Sequence, residues 1–216
     1  MKYLLFILLI QARDLPVINS TIERSSDFYE KSIDGYKKNE FWGDFSYPLS
    51  GKVTASATKP ANNKRTYNIK NIQDYNLNTA WVFESKMERK TAAFEFIFKF
   101  PKHAAYAGAY QFDGICYIFN GYCKTLNTWT ENSRAKKLLV YYNEQPVCYI
   151  HLKDTWHFQS FDISKFFKNR RDGKYLDSKY EIKNGDSLKF EVVEVYRGTK
   201  YNDVAISEFL CDGGTN

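Results

Sequence analysis

Between Asp74 and Trp81 the chain reads Asp-Tyr-Asn-Leu-Asn-Thr-Ala-Trp, which crowds oxygen-bearing side chains into one short stretch. Asp74, Asn76, Asn78 and Thr79 offer the carboxylate, amide and hydroxyl oxygens that a hard cation such as calcium takes, although their spacing is not that of an EF-hand. The same residue types also suit a loop capped by its own side chains, because short polar side chains bond nearby backbone. Trp81, at the exit, reads as a core anchor. Far along the chain, Glu208 sits in the apolar run Val204–Leu210. A carboxylate there is costly to bury unless it is paired or metal-bound, and facing water is its other option.

Two further stretches could bind a ligand. From Phe119-Asn-Gly-Tyr-Cys-Lys-Thr125 to Asn132-Ser-Arg134, a strand closes at Asn120-Gly121 and leads into what reads as a long polar loop containing Trp129. Amide and guanidinium groups make paired hydrogen bonds to sugar hydroxyls or carboxylates, and an aromatic face adds apolar contact. Glu194 to Phe209 reads as strand, tight polar turn and closing strand, with Lys200, Tyr201 and Asp203 on or beside the turn. Catalytic signatures are missing. His103, His151 and His157 adjoin no Gly-x-Ser-x-Gly elbow and no His-Glu-x-x-His motif, and no Gly-rich phosphate loop follows a strand. Paired carboxylates meeting in space, as in a glycosidase, would leave no local trace.

The elements that must position these residues are short strands. Thr91–Phe100 alternates with period two, placing Phe94, Phe96, Phe98 and Phe100 on one face and Glu95 and Lys99 on the other. Gly114–Phe119, Lys137–Tyr142, Val147–Lys153, Phe158–Ile163, Leu188–Tyr196 and Val204–Leu210 read likewise, and the alternation slips at Val192–Val193 as at a bulge. Asn143–Pro146 and Lys183–Asp186 carry turn chemistry, and Ser164–Arg171 suits a short helical turn. With 17 Tyr, 17 Phe and 4 Trp in 216 residues, composition leans the same way, because aromatic side chains fit a pleated surface. The expectation is an all-β fold, an antiparallel jelly-roll β-sandwich with a short N-terminal extension.

Charge excludes one class of partner. The net charge of +6 is scattered over distant pairs such as Lys64–Arg65, Arg89–Lys90, Lys136–Lys137 and Arg170–Arg171, whereas a nucleic-acid binder concentrates it. Lys2, the apolar run Tyr3–Ile10 and Ala12 read as a signal peptide over residues 1–12, too short to span a bilayer. Residues 13–50 form the extension and 51–212 the domain. Cys116, Cys123, Cys148 and Cys211 permit two disulfides in any of three connectivities or remain thiols, and their spacing gives no zinc site.

In order along the chain, Val53-Thr-Ala-Ser-Ala-Thr58, Asp74 to Trp81, Phe119-Asn-Gly-Tyr to Asn132-Ser-Arg, Leu152-Lys-Asp-Thr-Trp-His-Phe-Gln159 and Tyr196 to Glu208 resemble the NADase-type glycan-binding domain. That family is a discoidin-like branch of the galactose-binding jelly rolls, and the resemblance covers roughly residues 50 to 212. It implies a jelly roll of about eight strands with a shallow binding face at one end. It further implies a structural calcium held by Asp74, Asn76, Thr79 and Glu208. It places Asn120, Tyr122, Lys124, Asn132, Arg134, Lys200, Tyr201 and Asp203 on the binding face, where Trp129 joins them. The chain departs from the family at Val82–Lys90, where a Gly-rich stretch is usual, and at Tyr75, where glycine is usual. The expected protein is secreted and non-catalytic, a carbohydrate-binding module with a glycan partner and no membrane span. Its alternatives are a protein-binding adhesion domain of the same fold and a hydrolase.

Overall fold

The computed structural model describes residues 14–23, 51–62, 65–85, 92–98, 112, 114–167 and 185–211. Residues 1–12, expected to be a signal peptide, residues 24–50 of the expected extension, Lys64, Phe100, His103 and the basic pairs at 89–90 and 170–171 lie outside that set.

Among the described residues the chain forms β1 (Val17–Asn19), β2 (Thr21–Ile22), β3 (Gly51–Ala55), β4 (Trp81–Glu84), β5 (Ala93–Phe98), β6 (Ile115–Asn120), β7 (Ser133–Tyr142), β8 (Gln145–His151), β9 (Gln159–Asp162), β10 (Ser187–Tyr196) and β11 (Asp203–Cys211). One layer runs β3-β5-β10-β7-β8-β1 and the other β2-β9-β6-β11-β4. The first residues of β11 join them, pairing in parallel with β7 at Val204–Ser133 and Ala205–Arg134. The chain is therefore the all-β jelly-roll sandwich that its alternating strands predict.

Alternation becomes core directly. In β5, Phe94, Phe96 and Phe98 are buried while Glu95 lies between them half-buried. Phe94 stacks on Phe190 of the neighbouring β10 at 5.2 Å, and both meet Phe209 of the facing layer, at 4.8 and 4.6 Å. Offset and edge-to-face aromatic pairs add about 0.5–1.5 kcal/mol each beyond area burial. The register of β10 on β7 shifts between Val192 and Glu194, where the sequence slips. The β7–β8 turn is a two-residue hairpin in which Asn143 and Glu144 both take positive φ, 47° and 63°, matching the twist of the strands it joins.

The boundaries move in places. A 3-10 turn covers Ser164–Phe166. The stretch expected to be a long loop after Asn120 instead holds a helix, α1 (Leu126–Glu131). Thr125 caps it, accepting from the Thr128 N–H while the Thr128 hydroxyl accepts from the Thr125 N–H. This reciprocal box satisfies two otherwise orphaned donors. Within the extension, β1 pairs in parallel with β8 and β2 pairs with β9, so residues 17–22 close the free edge of each layer in turn. Ser20, between them, is buried and donates to Gln159 Oε1 at 2.7 Å.

Candidate functional site

Strand pairing decides which loops meet. Tyr196 pairs with Arg134, Ala205 with Arg134, and Gly121 with Ile206. The end of β10, the start of β7, the start of β11 and the residues just past β6 therefore share one end of the sandwich. The 152–158 connection between β8 and β9 lies at the same end, since His151 pairs with Lys137 and Gln159 with Ile118. The sequence candidates 120–134 and 200–203 are thus brought together, with the 74–79 loop beside them through a 3.2 Å bond from the Tyr122 hydroxyl to the Asn78 carbonyl.

The 74–79 loop is both self-capped and joined to a buried charge. Thr79 Oγ1 lies 2.7 Å from Asp74 Oδ2 and 2.8 Å from the Asn76 carbonyl oxygen, and the Asn76 and Asn78 N–H groups donate within the loop. Tyr75 takes φ +56°, a left-handed backbone that costs a side-chain-bearing residue about 1–2 kcal/mol. Glycine takes that backbone without cost, and here the Tyr75 ring packs against the cluster of Leu77, Phe119, Cys123, Phe158 and Leu210. Glu208 is 0% exposed. Its Oε1 accepts from the Asn76 N–H at 2.7 Å, while Oε2 is buried with no hydrogen-bond partner. Burial pushes its pKa up to about 10 and the like charge of Asp74 pushes the same way, against the backbone N–H groups of Asn76 and Tyr75. An orphaned oxygen on a buried carboxylate, a second carboxylate beside it and neutral oxygens around both make a donor set that fits a hard cation. Among the described residues no group of three His, Cys, Asp or Glu could hold a metal, so the set has two carboxylates and draws its other oxygens from Asn76 and Thr79.

The residues from Asn120 to Arg134 are bound into the scaffold. Asn120 is buried and clips β6 to β7, its amide donating to the Ala135 carbonyl at 2.7 Å and its oxygen accepting the Ala135 N–H at 3.1 Å. Tyr122 is buried with Ala80, Val82 and Ala205. Asn132 is buried and caps the helix end by donating to the Thr128 carbonyl at 2.8 Å. Arg134 is 6% exposed. Its guanidinium lies over the Trp129 ring at 4.2 Å, donates to Asp154 at 2.8 and 3.2 Å, and donates to the Trp129 and Asn132 carbonyls at 3.1 and 2.9 Å. Trp129 in turn donates to the Asn120 carbonyl at 2.8 Å and lies against Gly121. These side chains hold α1 in place, because their polar groups are occupied by the protein itself.

What faces outward is a narrower set. Tyr201 is 42% exposed, with its N–H held by the Glu131 carbonyl at 2.8 Å and its carbonyl held by the Ser133 hydroxyl. Lys200 is exposed beside it, 5.1 Å over the Tyr201 ring, and Lys124 is half-buried on the α1 side. Asp203 pairs with Lys59, which lies 5.8 Å over the Tyr67 ring. Arg65 is exposed, 5.8 Å from the Tyr122 ring. Lys59, Arg65 and Tyr67 are the residues that sequence reasoning passed over. Their connection carries no turn or ligand motif, and they reach this end because the Lys59 N–H donates to the Val82 carbonyl and the Tyr67 carbonyl accepts from the Val82 N–H of β4, which pairs with the start of β11.

Among the described residues no helix is long and apolar enough to cross a membrane. Residues 46–212 match the model of the NAD glycohydrolase translocation F5/8 type C domain family. A search of the curated proteins finds no match. Solved structures share the fold: the CBM32-1 and CBM32-2 domains of Clostridium perfringens ZmpB match with TM-score 0.52 at 12% identity, covering 92% of this chain and 41% of that one. The same domains in complex with GalNAc match with TM-score 0.51 at 10% identity, over 92% of this chain and 40% of that one. The chain thus spans about two-fifths of the length of those structures.

Proposed function

The chain belongs to the NAD glycohydrolase translocation F5/8 type C domain family, and from that premise we propose that it is a secreted, non-catalytic carbohydrate-binding module that attaches to glycans at a cell surface or in the extracellular space. The observation that carries the proposal is the exposed Tyr201, fixed through its own backbone to α1 and flanked by Lys200. An aromatic face on a rigid backbone stacks on a sugar ring at little entropic cost, and neighbouring cations and amides bond its hydroxyls. The fold neighbours are carbohydrate-binding modules, one of them in complex with GalNAc. Attachment to a glycan surface is the contribution we assign to this chain in the translocation that its family description names.

The non-catalytic assignment is supported by the candidate carboxylates. Asp203 and Glu208 lie an odd number of residues apart on β11 and so project to opposite faces. Asp203 is committed to Lys59 and Glu208 is fully buried. In this reading a calcium ion held by Asp74, Asn76, Thr79 and Glu208 stiffens the loop behind the face. A glycan array probed with the mature chain tests the proposal. Binding to a defined set of glycans that Tyr201→Ala and Arg65→Ala remove is the expected result. A silent array overturns it, and capture of a protein partner instead would establish the adhesion-domain reading, which Leu126 favours by standing 52% exposed at the start of α1.

A further inference from the structure

The four cysteines are all buried, yet they are not equivalent. Cys116 on β6 and Cys211 on β11 stand directly opposite one another in an antiparallel ladder. Directly opposed residues on antiparallel strands hold their Cβ atoms about 4.5–5.5 Å apart, close to the separation that a disulfide spans. The two sulfurs lie 3.2 Å apart, with 95 residues of chain between them. Cys148 belongs to β8 in the facing layer. Cys123 packs in a separate cluster with Leu77, Phe119, Phe158 and Leu210, its thiol pointing at the Gly121 carbonyl at 3.7 Å.

We propose that Cys116 and Cys211 are joined in a disulfide when the chain folds in the presence of a thiol–disulfide donor, while Cys123 and Cys148 stay as buried thiols. The donor is a dithiol oxidoreductase in its disulfide form, or oxidised glutathione. One cysteine thiolate attacks the donor's sulfur–sulfur bond, forming a mixed disulfide and releasing one donor thiolate. The second cysteine thiolate then attacks the protein sulfur of that mixed disulfide. The protein bond forms, the second donor sulfur leaves, and the two protons lost by the cysteines end on the two reduced donor sulfurs. The two electrons lost by the cysteine pair reduce the donor.

The order of events follows from burial. In the closed sandwich, desolvation holds the Cys116 thiol well above its usual range, and it pushes Cys123 and Cys148 up to about 12. Thiolate attack therefore belongs to the stage before the last residues of β11 pair with β6. Once made, the bond fixes β11 just past Glu208, at Cys211 against Cys116. This proposal is independent of any ligand.

Refolding the reduced chain in a glutathione redox mixture, then counting thiols with Ellman's reagent in denaturant, tests it. The count is expected to fall from four to two, and a non-reducing peptide map is expected to link the Cys116 and Cys211 peptides. A count of four, or a link through Cys123 or Cys148, would overturn the assignment. The double variant Cys123→Ala, Cys148→Ala should show no free thiol and a lower Tm on reduction. Free thiols in that variant after oxidative refolding would refute the pairing.

Discussion

Arg134 and Glu208 lie on neighbouring strands at one end of the sandwich, both buried and both ionisable, and they are finished to different degrees. Arg134 has a carboxylate, two backbone carbonyls and an indole face around its guanidinium. Glu208 has backbone N–H groups on one side only, the second carboxylate of Asp74 beside it and an oxygen, Oε2, with no hydrogen-bond partner. A buried charge whose bonds are complete ties elements of the fold together. A buried charge left incomplete marks a place where something else is to arrive, a proton or a cation. The pair therefore contrasts a buried ionisable group whose bonds are complete with one whose bonds are not.

The largest expected effect is on the finished side. Arg134→Met retains much of the volume but strands Asp154 and the Trp129 and Asn132 carbonyls, and should cost about 3 kcal/mol in urea unfolding. Glu208→Gln, in chelator, should cost far less, because the buried carboxyl is already protonated at neutral pH and the amide replaces it at nearly the same size and charge. Equal losses in the two variants would erase the distinction.

Calcium should show the other half of the contrast. At a hundredfold excess over its Kd it should stabilise the wild type by about 2.7 kcal/mol and leave Glu208→Gln unchanged, read as thermal shifts against chelator. The pH dependence has a definite sign. Glu208 ordinarily titrates at 4.5 and is held at about 10 in the folded chain, so folding takes up a proton between those values. In chelator this contribution to stability is fully present below pH 4.5 and is lost as pH rises toward 10. Calcium displaces that proton, so its affinity should rise over the same window. A calcium affinity that is flat with pH would detach Glu208 from the ion.

These contrasts could not be drawn from the sequence in equal measure. The strands of β5 and β10 were legible because period two is written in Phe94-Glu-Phe96 and Leu188-Lys-Phe190, and the bulge showed as a slip in the same pattern. The crowding of Asp74, Asn76 and Thr79 was legible because the residues are contiguous. Glu208 joined them through family resemblance, since 132 residues separate it from Asn76. The α1 helix was missed because six polar-rich residues carry no hydrophobic period and its cap is Thr125-x-x-Thr128 in place of an acidic box. Asn120, Asn132 and Arg134 looked like ligand contacts because amide and guanidinium groups in a loop offer free bonds. Only the adjacency of β6, β7 and α1 shows those bonds used. Residues 17–22 gave no strand signal at all, since their order comes from the open edges of β8 and β9.

A smaller effect probes how tightly the outward face depends on the finished side. A Cβ on Gly198 would fall 2.4 Å from the Glu131 carbonyl oxygen and from Asn132 backbone, atoms that cannot move without shifting the end of α1. Gly198→Ala should therefore cost about 1–3 kcal/mol and weaken glycan binding together with it. Stability lost with binding intact would show that the 197–202 loop positions no ligand contact.

The smallest change in stability should accompany one of the largest in binding. Tyr201 meets the protein through its backbone, with the N–H on the Glu131 carbonyl and its own carbonyl on Ser133. Truncation at Cβ leaves those bonds in place, so Tyr201→Ala should unfold within about 0.5 kcal/mol of the wild type. Among the described residues the lost ring is the most exposed aromatic side chain of this end, and its removal should reduce array signal at least tenfold. Arg134→Met would also reduce that signal, but by disordering α1, and it would do so with the loss of stability already described. Binding lost without stability at Tyr201, and binding lost with it at Arg134, would place the first residue on the ligand and the second behind it. The same loss of stability at both would mean that this end of the sandwich is a single packed unit with no separable face.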